Sequence, residues 1–487
     1  MFLNHCRQPP SNFPPRDSEI QTFLPHDSLD APSRLEHKKL FPLPHESEQT
    51  MTRLAPVILA IAATVCPPTN ATAKPNFLII LADDMGYGDI SPYGGWIKTP
   101  HLDELAAGGL KLTDFHSNGA VCSPTRAALM TGRYQQRAGI PMVVSVKLRH
   151  LGLLPQESTF AERLKDAGYA TGIFGKWHLG YKPTYNPIQH GFDLFRGYVS
   201  GNVDFISHID QSGVYDWWHQ DKLAEEPGYT THLITRHALK FIDDHKDQPF
   251  CLYLPHEAPH YPYQGPSDKA DRTVGGQFNT HGSRVDKKEA YREMVTELDK
   301  GVGQVVAKLK EHGLEKNTLV FFFSDNGATS LGSNGKLRGT KGTVWEGGHR
   351  VPAIASWPGK IKPGATDQMA IGMDLMPTLL NLAGVPLPKK RPLDGADLSN
   401  VLLKHESIGE RKLFWQHANQ IAMRDGSWKL VQNAKGQKGY GLYNLAEDLG
   451  ETRNVFEDNK KQATKMMVYL RQWQQDVAEG ATVQPSQ

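Results

Sequence analysis

Cysteine is scarce in this chain: only Cys6, Cys66, Cys122 and Cys251 among 487 residues. That excludes a small scaffold framed by disulfides. Dense Lys/Arg clusters are missing and the formal net charge is only +2. A nucleic-acid binder working through a broad basic field is therefore excluded. There is no internal repeat or heptad run, and no His/Cys set at zinc spacing. Long apolar stretches are missing as well. The run from Leu54 to Val65 is too short to span a bilayer stably.

What is present is enough chain for more than one core, so two domains are expected. Residues 1–50 are rich in proline and charge without an apolar period, and read as a disordered leader or a miscalled start. Met51-Thr52-Arg53, the run Leu54 to Val65 and the small-residue stretch Ala71-Thr72-Ala73 together form a signal peptide over 51–73. Export is expected, with a mature chain beginning near Lys74 and no membrane attachment after cleavage. Cys122 and Cys251 are then the cysteines that remain. Cys251 sits inside an apolar strand-like run and reads as core.

From residue 75 to about 385, short apolar runs alternate with amphipathic helical patterns. Asn76 to Ala82, Tyr169 to Phe174, Phe250 to Leu254, Thr318 to Phe323 and Val351 to Ser356 read as strands. Thr99 to Leu112, Ser158 to Ala167, Thr231 to Asp244, Lys288 to His312 and Asp374 to Ala383 read as helices. This alternation predicts an α/β fold with a large, mainly parallel sheet covered by helices on both faces. Pro386 to Asp397 marks a boundary. Beyond it come four short strands near 413–416, 421–424, 428–431 and 442–445, then a helix over 460–476. The expected division is a catalytic domain over 74–385 and a small antiparallel subdomain with one helix over 386–487.

In open α/β sheets, ligands collect at the C-terminal ends of the strands. Four of the predicted strands end in charged or metal-capable groups: Asp83 and Asp84, Lys176 and His178, His256 and His260, Asp325 and Asn326. Each alone reads as a turn, a cap or a solvated loop. Together they require four coincidences at one sheet edge. Asp83, Asp84, Asp325 and Asn326 offer only oxygen, which suits Ca²⁺ or Mg²⁺. Cys122-Ser123-Pro124-Thr125-Arg126 opens a further helical pattern, and Pro124 belongs in a first turn. Cys122 then lies at a helix N-terminus, where backbone N–H groups favour anions, and Arg126 follows one turn later. A thiolate is a poor partner for a hard cation, so an oxygen is expected in place of the sulfur.

These stretches resemble the type I sulfatases of the alkaline-phosphatase-like superfamily. The resemblance rests on Cys122 to Arg126 with Ala127 to Arg133, Asp83 to Asp89, Gly175 to Gly180, His256 to Pro262, Ser324 to Gly327 and Lys341 to Gly348. It runs from about Lys74 to the C-terminus. His190 to Asp193 and Gly332 to Gly335 look most like N-acetylgalactosamine-6-sulfatases and related glycan sulfatases. The resemblance implies that a formylglycine-generating enzyme oxidises Cys122 to Cα-formylglycine. One hydroxyl of the hydrated aldehyde would attack sulfur and form a sulfo-enzyme, and loss of the second hydroxyl's proton would expel sulfate. Asp83, Asp84, Asp325 and Asn326 would hold Ca²⁺ together with the converted Cys122. Lys176, His260 and Lys341 would bind the sulfate oxygens. Arg126 would stabilise the hydrated aldehyde, and His178 would take the diol proton. His260 or Lys341 would protonate the leaving oxygen.

The implied substrate is a sulfated carbohydrate, with a galactose or N-acetylgalactosamine unit favoured. Tyr185 to Tyr229, with His190, Asp204, His208, Asp216, Trp217, Trp218 and His219, is a candidate sugar-binding or structural loop. The alternatives are a phosphonate or phosphate-diester hydrolase of the same superfamily and a non-catalytic glycan-binding relative with unconverted Cys122. A thiol-nucleophile hydrolase is a third, since a helix N-terminus activates cysteine.

Overall fold

The computed structural model describes residues 74–484. The expected leader over 1–50 and signal peptide over 51–73 lie outside the described residues. Asn76–Ala82 is a strand buried at every position. Its period of two sends Phe77, Ile79 and Leu81 into one core, and Leu78, Ile80 and Ala82 into another. A strand apolar on both faces needs helices on both sides. Thr230–His245 and Lys287–Glu311 supply one layer. Cys122–Thr131, Phe160–Asp166 and Leu375–Leu382 supply the other.

The main sheet has ten strands. Thr318–Ser324, Asn76–Ala82, Phe250–Pro255, Ala170–Lys176 and Leu194–Tyr198 lie side by side and parallel. Their C-terminal ends therefore share one edge. Ala353–Ser356 runs antiparallel to both of its neighbours, a direction that apolar periodicity does not encode. The expected helix over Thr99 to Leu112 is shorter in the structure. It occupies Pro100–Ala107, and Leu110–Leu112 is a strand paired with Ala353–Ser356. The Gly108-Gly109 pair ends the helix, since each glycine costs a helix about 1 kcal/mol relative to alanine.

The C-terminal region forms the expected four-stranded antiparallel sheet: Lys412–His417, Gln420–Asp425, Trp428–Gln432 and Tyr440–Asn444. Helix Lys460–Glu479 covers it with Ala463, Met466, Leu470, Trp473 and Val477, an i, i+3, i+7 stripe. A buried charge network joins this sheet to the residues that follow the main sheet's strands. Lys429 Nζ lies 2.9 Å from Glu346 Oε1 and 2.9 Å from Glu451 Oε1. Arg424 reaches Glu346 Oε2 at 3.1 Å and Asp114 Oδ2 at 3.1 Å. Among the described residues no helix is long and apolar enough to cross a membrane.

Candidate active site

Four neighbouring parallel strands deliver the predicted groups to one edge. Asp83 and Asp84 follow Asn76–Ala82, and Asp325 and Asn326 follow Thr318–Ser324. Lys176 ends its strand, with His178 two residues beyond, and His256 and His260 follow Phe250–Pro255. Helix Cys122–Thr131 brings in Cys122 at its first position and Arg126 one turn later. Every residue of that helix is buried, so the guanidinium of Arg126 must find partners inside. It donates to Asp325 Oδ2 from Nε at 3.1 Å and Nη2 at 2.8 Å, and to the Lys176 carbonyl at 3.0 Å.

The remaining contacts close around Cys122. Its Sγ lies 3.5 Å from Asp83 Oδ1 and 3.5 Å from Lys341 Nζ. Lys176 Nζ donates to Asp83 Oδ2 at 2.5 Å, and Lys341 Nζ pairs with Asp84 Oδ1 at 2.6 Å. Asn326 Nδ2 donates to the same Asp84 Oδ1 at 2.7 Å. His260 Nε2 stands 3.7 Å from Asp84 Oδ2, and its Nδ1 donates to the Tyr261 carbonyl at 2.7 Å. His178 comes into this field without a hydrogen bond to Cys122. Gly201 packs on its ring so closely that a Cβ there would meet Nε2 at 2.9 Å.

Two site residues are held in the left-handed backbone region, Asp84 at φ 67° and His178 at φ 56°. Such conformations cost about 1–3 kcal/mol and persist where surroundings enforce them. For Asp84 the enforcement is visible. Its N–H donates to Asp325 Oδ1 at 3.2 Å, and Tyr291 Oη donates to its carbonyl at 3.1 Å.

Burial and the neighbouring Asp83 carboxylate push the Cys122 thiol up to about 12. It stays protonated at neutral pH, which disfavours the thiol-nucleophile reading. Burial opposes the charge on Lys176 and Lys341, but Asp83 and Asp84 beside them outweigh it, and both ammonium groups are held above the usual lysine value. Burial lowers His178 and His260 well below the ordinary histidine range, helped for each by the cations nearby.

The donor set fits a hard dication. One ligand atom from each of Asp83, Asp84, Cys122 and His260 lies within 4.8 Å of the others. Asp84 Oδ2 and Asn326 Oδ1 are buried oxygens with no hydrogen-bond partner. Unsatisfied buried oxygens of this kind call for a ligand, and oxygen-rich sites suit Ca²⁺ or Mg²⁺. His116, Glu346 and His349 also cluster, but His116 Nε2 pairs with Asp114 and Glu346 with Lys429 and Arg424. That cluster is part of the joint to the small sheet.

The loop proposed for sugar contact is largely interior. His190, Asp204 and Trp217 are fully buried. Asp204 accepts from the N–H groups of Ile206, Ser207, Asp271 and Arg272, so its carboxylate is used in shaping the loop. The sequence reading passed over Tyr261, which follows His260 directly and has its ring centroid 4.1 Å from the His260 ring. Adjacency to His260 was the one available signal.

Known proteins match this arrangement. The model of the Sulfatase family covers residues 75–385, and that of the N-sulphoglucosamine sulphohydrolase C-terminal region covers 340–477. Arylsulfatase A of Bos taurus is 34% identical over 477 residues, with 87% of this chain and 90% of that protein covered. N-acetylgalactosamine-6-sulfatase of Sus scrofa is 36% identical over 396 residues, with 75% and 73% covered. The crystal structure of Ps i-CgsB in complex with k-i-k-neocarrahexaose superposes with a TM-score of 0.76 at 29% identity, covering 85% of this chain and 95% of that one. The chain thus belongs to the sulfatase family, as a type I sulfatase resembling the N-acetylgalactosamine-6-sulfatases.

Proposed function

We propose that this enzyme removes sulfate from a sulfated galactose or N-acetylgalactosamine unit of a glycan, using Cys122 after its oxidation to Cα-formylglycine. The observation that carries the reading is the convergence of Cys122, Lys176 and Lys341 on an acidic cluster that keeps two buried oxygens unpaired. Sγ of Cys122 stands where the formylglycine hydroxyl oxygens would be. Charge balance supports an anionic substrate. Asp83, Asp84 and Asp325 are matched one for one by Arg126, Lys176 and Lys341. A bound dication would leave the site net positive.

Asp83, Asp84, Asp325 and Asn326, with the converted Cys122, would hold Ca²⁺. When bound, the ion would supply Lewis-acid polarisation of a sulfate oxygen. The chain's own residues do the rest. Lys176 and Lys341 are fixed cations that bind the sulfate oxygens, and their place is set before the substrate arrives. Arg126 locks Asp325 and the end of the Lys176 strand, and steadies the oxygen set around Cys122. His178 takes the hydroxyl proton in the step that releases sulfate. His260 holds its Nδ1 proton on the Tyr261 carbonyl. It can therefore serve as the acid only as an imidazolium carrying a second proton on Nε2, a form that the negative charge of a bound sulfate ester would favour. The leaving alcohol takes that proton or one from the Lys341 ammonium.

The sugar assignment draws on relatives named N-acetylgalactosamine-6-sulfatase and on the neighbour solved with k-i-k-neocarrahexaose. The same reading includes maturation by a formylglycine-generating enzyme, export through the segment 51–73, a catalytic domain over 74–385 and a small subdomain over 386–487. The test is sulfate release from a panel of sulfated mono- and disaccharides, with mass spectrometry of the peptide holding Cys122. Release from a galactose or N-acetylgalactosamine sulfate is expected. The peptide is expected lighter than its cysteine form by the exchange of H₂S for O. A fully unconverted cysteine in active enzyme would overturn the reading.

A further inference from the structure

The site grades from closed to open in one direction. Cys122 and His260 are buried, Tyr261 is half-buried and His281 is exposed. The three rings that follow this gradient touch. His260 and Tyr261 have centroids 4.1 Å apart, and Tyr261 and His281 lie 4.8 Å apart at 58°. His281 is also near-parallel to Tyr263, at 6.3 Å and 10°. The segment carrying His281 is tied down, because the Tyr263 N–H donates to the His281 carbonyl at 3.2 Å and the Ser283 N–H to Asp271 Oδ2 at 3.0 Å. This is a fixed aromatic ledge leading out from the leaving-group side of the site. Tyr261 Oη forms no hydrogen bond to the described residues. Lys341 and Asp84 both act on the Tyr261 phenol electrostatically, which agrees with a ring facing the reacting centre.

We infer that Tyr261 and His281 form the platform on which the sulfate-bearing pyranose ring rests. This rests on the proposed function and deepens it by assigning the sugar's seat. A pyranose has one C–H face that packs on an aromatic ring, and hydroxyls at its rim that need polar partners. The ledge offers both: aromatic surface on the half-buried Tyr261 and the exposed His281, and polar partners in the free Tyr261 hydroxyl and the His281 ring nitrogens. It opens to solvent at His281, so the next sugar of a chain has somewhere to go. A wholly apolar leaving group would find no enclosing wall there.

The experiment uses the mature chain carrying Cys122→Ala, which has no nucleophile at this position, and calorimetric titration with galactose 6-sulfate, N-acetylgalactosamine 6-sulfate and inorganic sulfate. Tyr261→Ala and His281→Ala are each expected to raise the ratio of sugar-sulfate Kd to inorganic-sulfate Kd roughly tenfold, the scale of one aromatic contact. His281 is exposed, so its variant tests the ledge even if Tyr261→Ala folds poorly. Tyr261→Phe keeps the ring and is expected to stay within about threefold of the parent ratio. An unchanged ratio in both alanine variants overturns the inference, as does a Phe variant as weak as Ala or a parent that binds neither sugar sulfate. Failure of the proposed function shows separately, as absence of sulfate release by the enzyme with Cys122 intact.

Discussion

Lys341 Nζ stands 3.5 Å from Cys122 Sγ. The ammonium is also committed to Asp84 Oδ1 at 2.6 Å, whereas His260 Nε2 has only the 3.7 Å approach to Asp84 Oδ2. On the proposed mechanism Lys341 would act as a fixed charge and His260, once Nε2 is protonated, as the acid. Lys341→Ala should lower kcat by about 10²–10³ on every sulfate ester, the usual cost of one preorganised charge donor. His260→Ala should discriminate. A phenolate leaves without a proton and an alkoxide does not, so the loss should be at least about tenfold greater on galactose 6-sulfate than on an aryl sulfate. Steady-state rates on both substrates check this, and equal losses on the two would remove His260 from the acid role.

The unpaired Asp84 Oδ2 and Asn326 Oδ1 predict a stabilising dication. Calcium at one hundred times its Kd should add about 2.7 kcal/mol to unfolding stability, read as a rise in Tm. Asn326→Ala and Asp84→Asn should each shrink that rise. A Tm insensitive to calcium and to chelator would contradict the oxygen-cage reading.

Lys429 is fully buried and serves two carboxylates, Glu346 and Glu451. Removing it leaves the buried Glu451 without its cation, while Glu346 keeps Arg424. Lys429→Ala should cost about 3–5 kcal/mol, measured by denaturant unfolding. The segment it anchors begins five residues after Lys341, so the folded fraction should also lose kcat. A loss under about 1 kcal/mol would place the pair among weak surface bridges.

Burial holds the His190 imidazole down to about 4, against about 6.5 in an unfolded chain. Between those values the unfolded chain takes up a proton that the folded one refuses. Stability therefore rises with pH across that window and is flat above it. His190→Leu should flatten the slope of Tm between pH 6.5 and 4 relative to the parent. Parallel slopes would show that His190 does not titrate on unfolding.

Much of this was legible in the sequence because it is contiguous. The run Asn76 to Ala82 is apolar at every position but its first, and the structure gives it those bounds. Asp83, Asp84, Asp325 and Asn326 stand directly after strands, so one topological rule places them together. What periodicity could not show depends on partners distant in sequence. Leu194–Tyr198 is interrupted by Gly197 and is a strand through its pairing with Ala170–Lys176 on one side and Trp218–His219 on the other. Leu110–Leu112 needs Ala353–Ser356. The ledge pairs Tyr261 with His281, twenty positions away on an irregular segment. The joint through Lys429 unites charges far apart in sequence that no local pattern singles out.

The central claim is that Cys122, once converted, carries the hydrolysis. Sulfate release from the sugar sulfate that the panel identifies as substrate, by the parent enzyme and by Cys122→Ala assayed side by side, tests it most directly. The account predicts steady release by the parent and none above background by the variant, whose thermal melt stays intact. A folded variant that releases sulfate at the parent rate would contradict it.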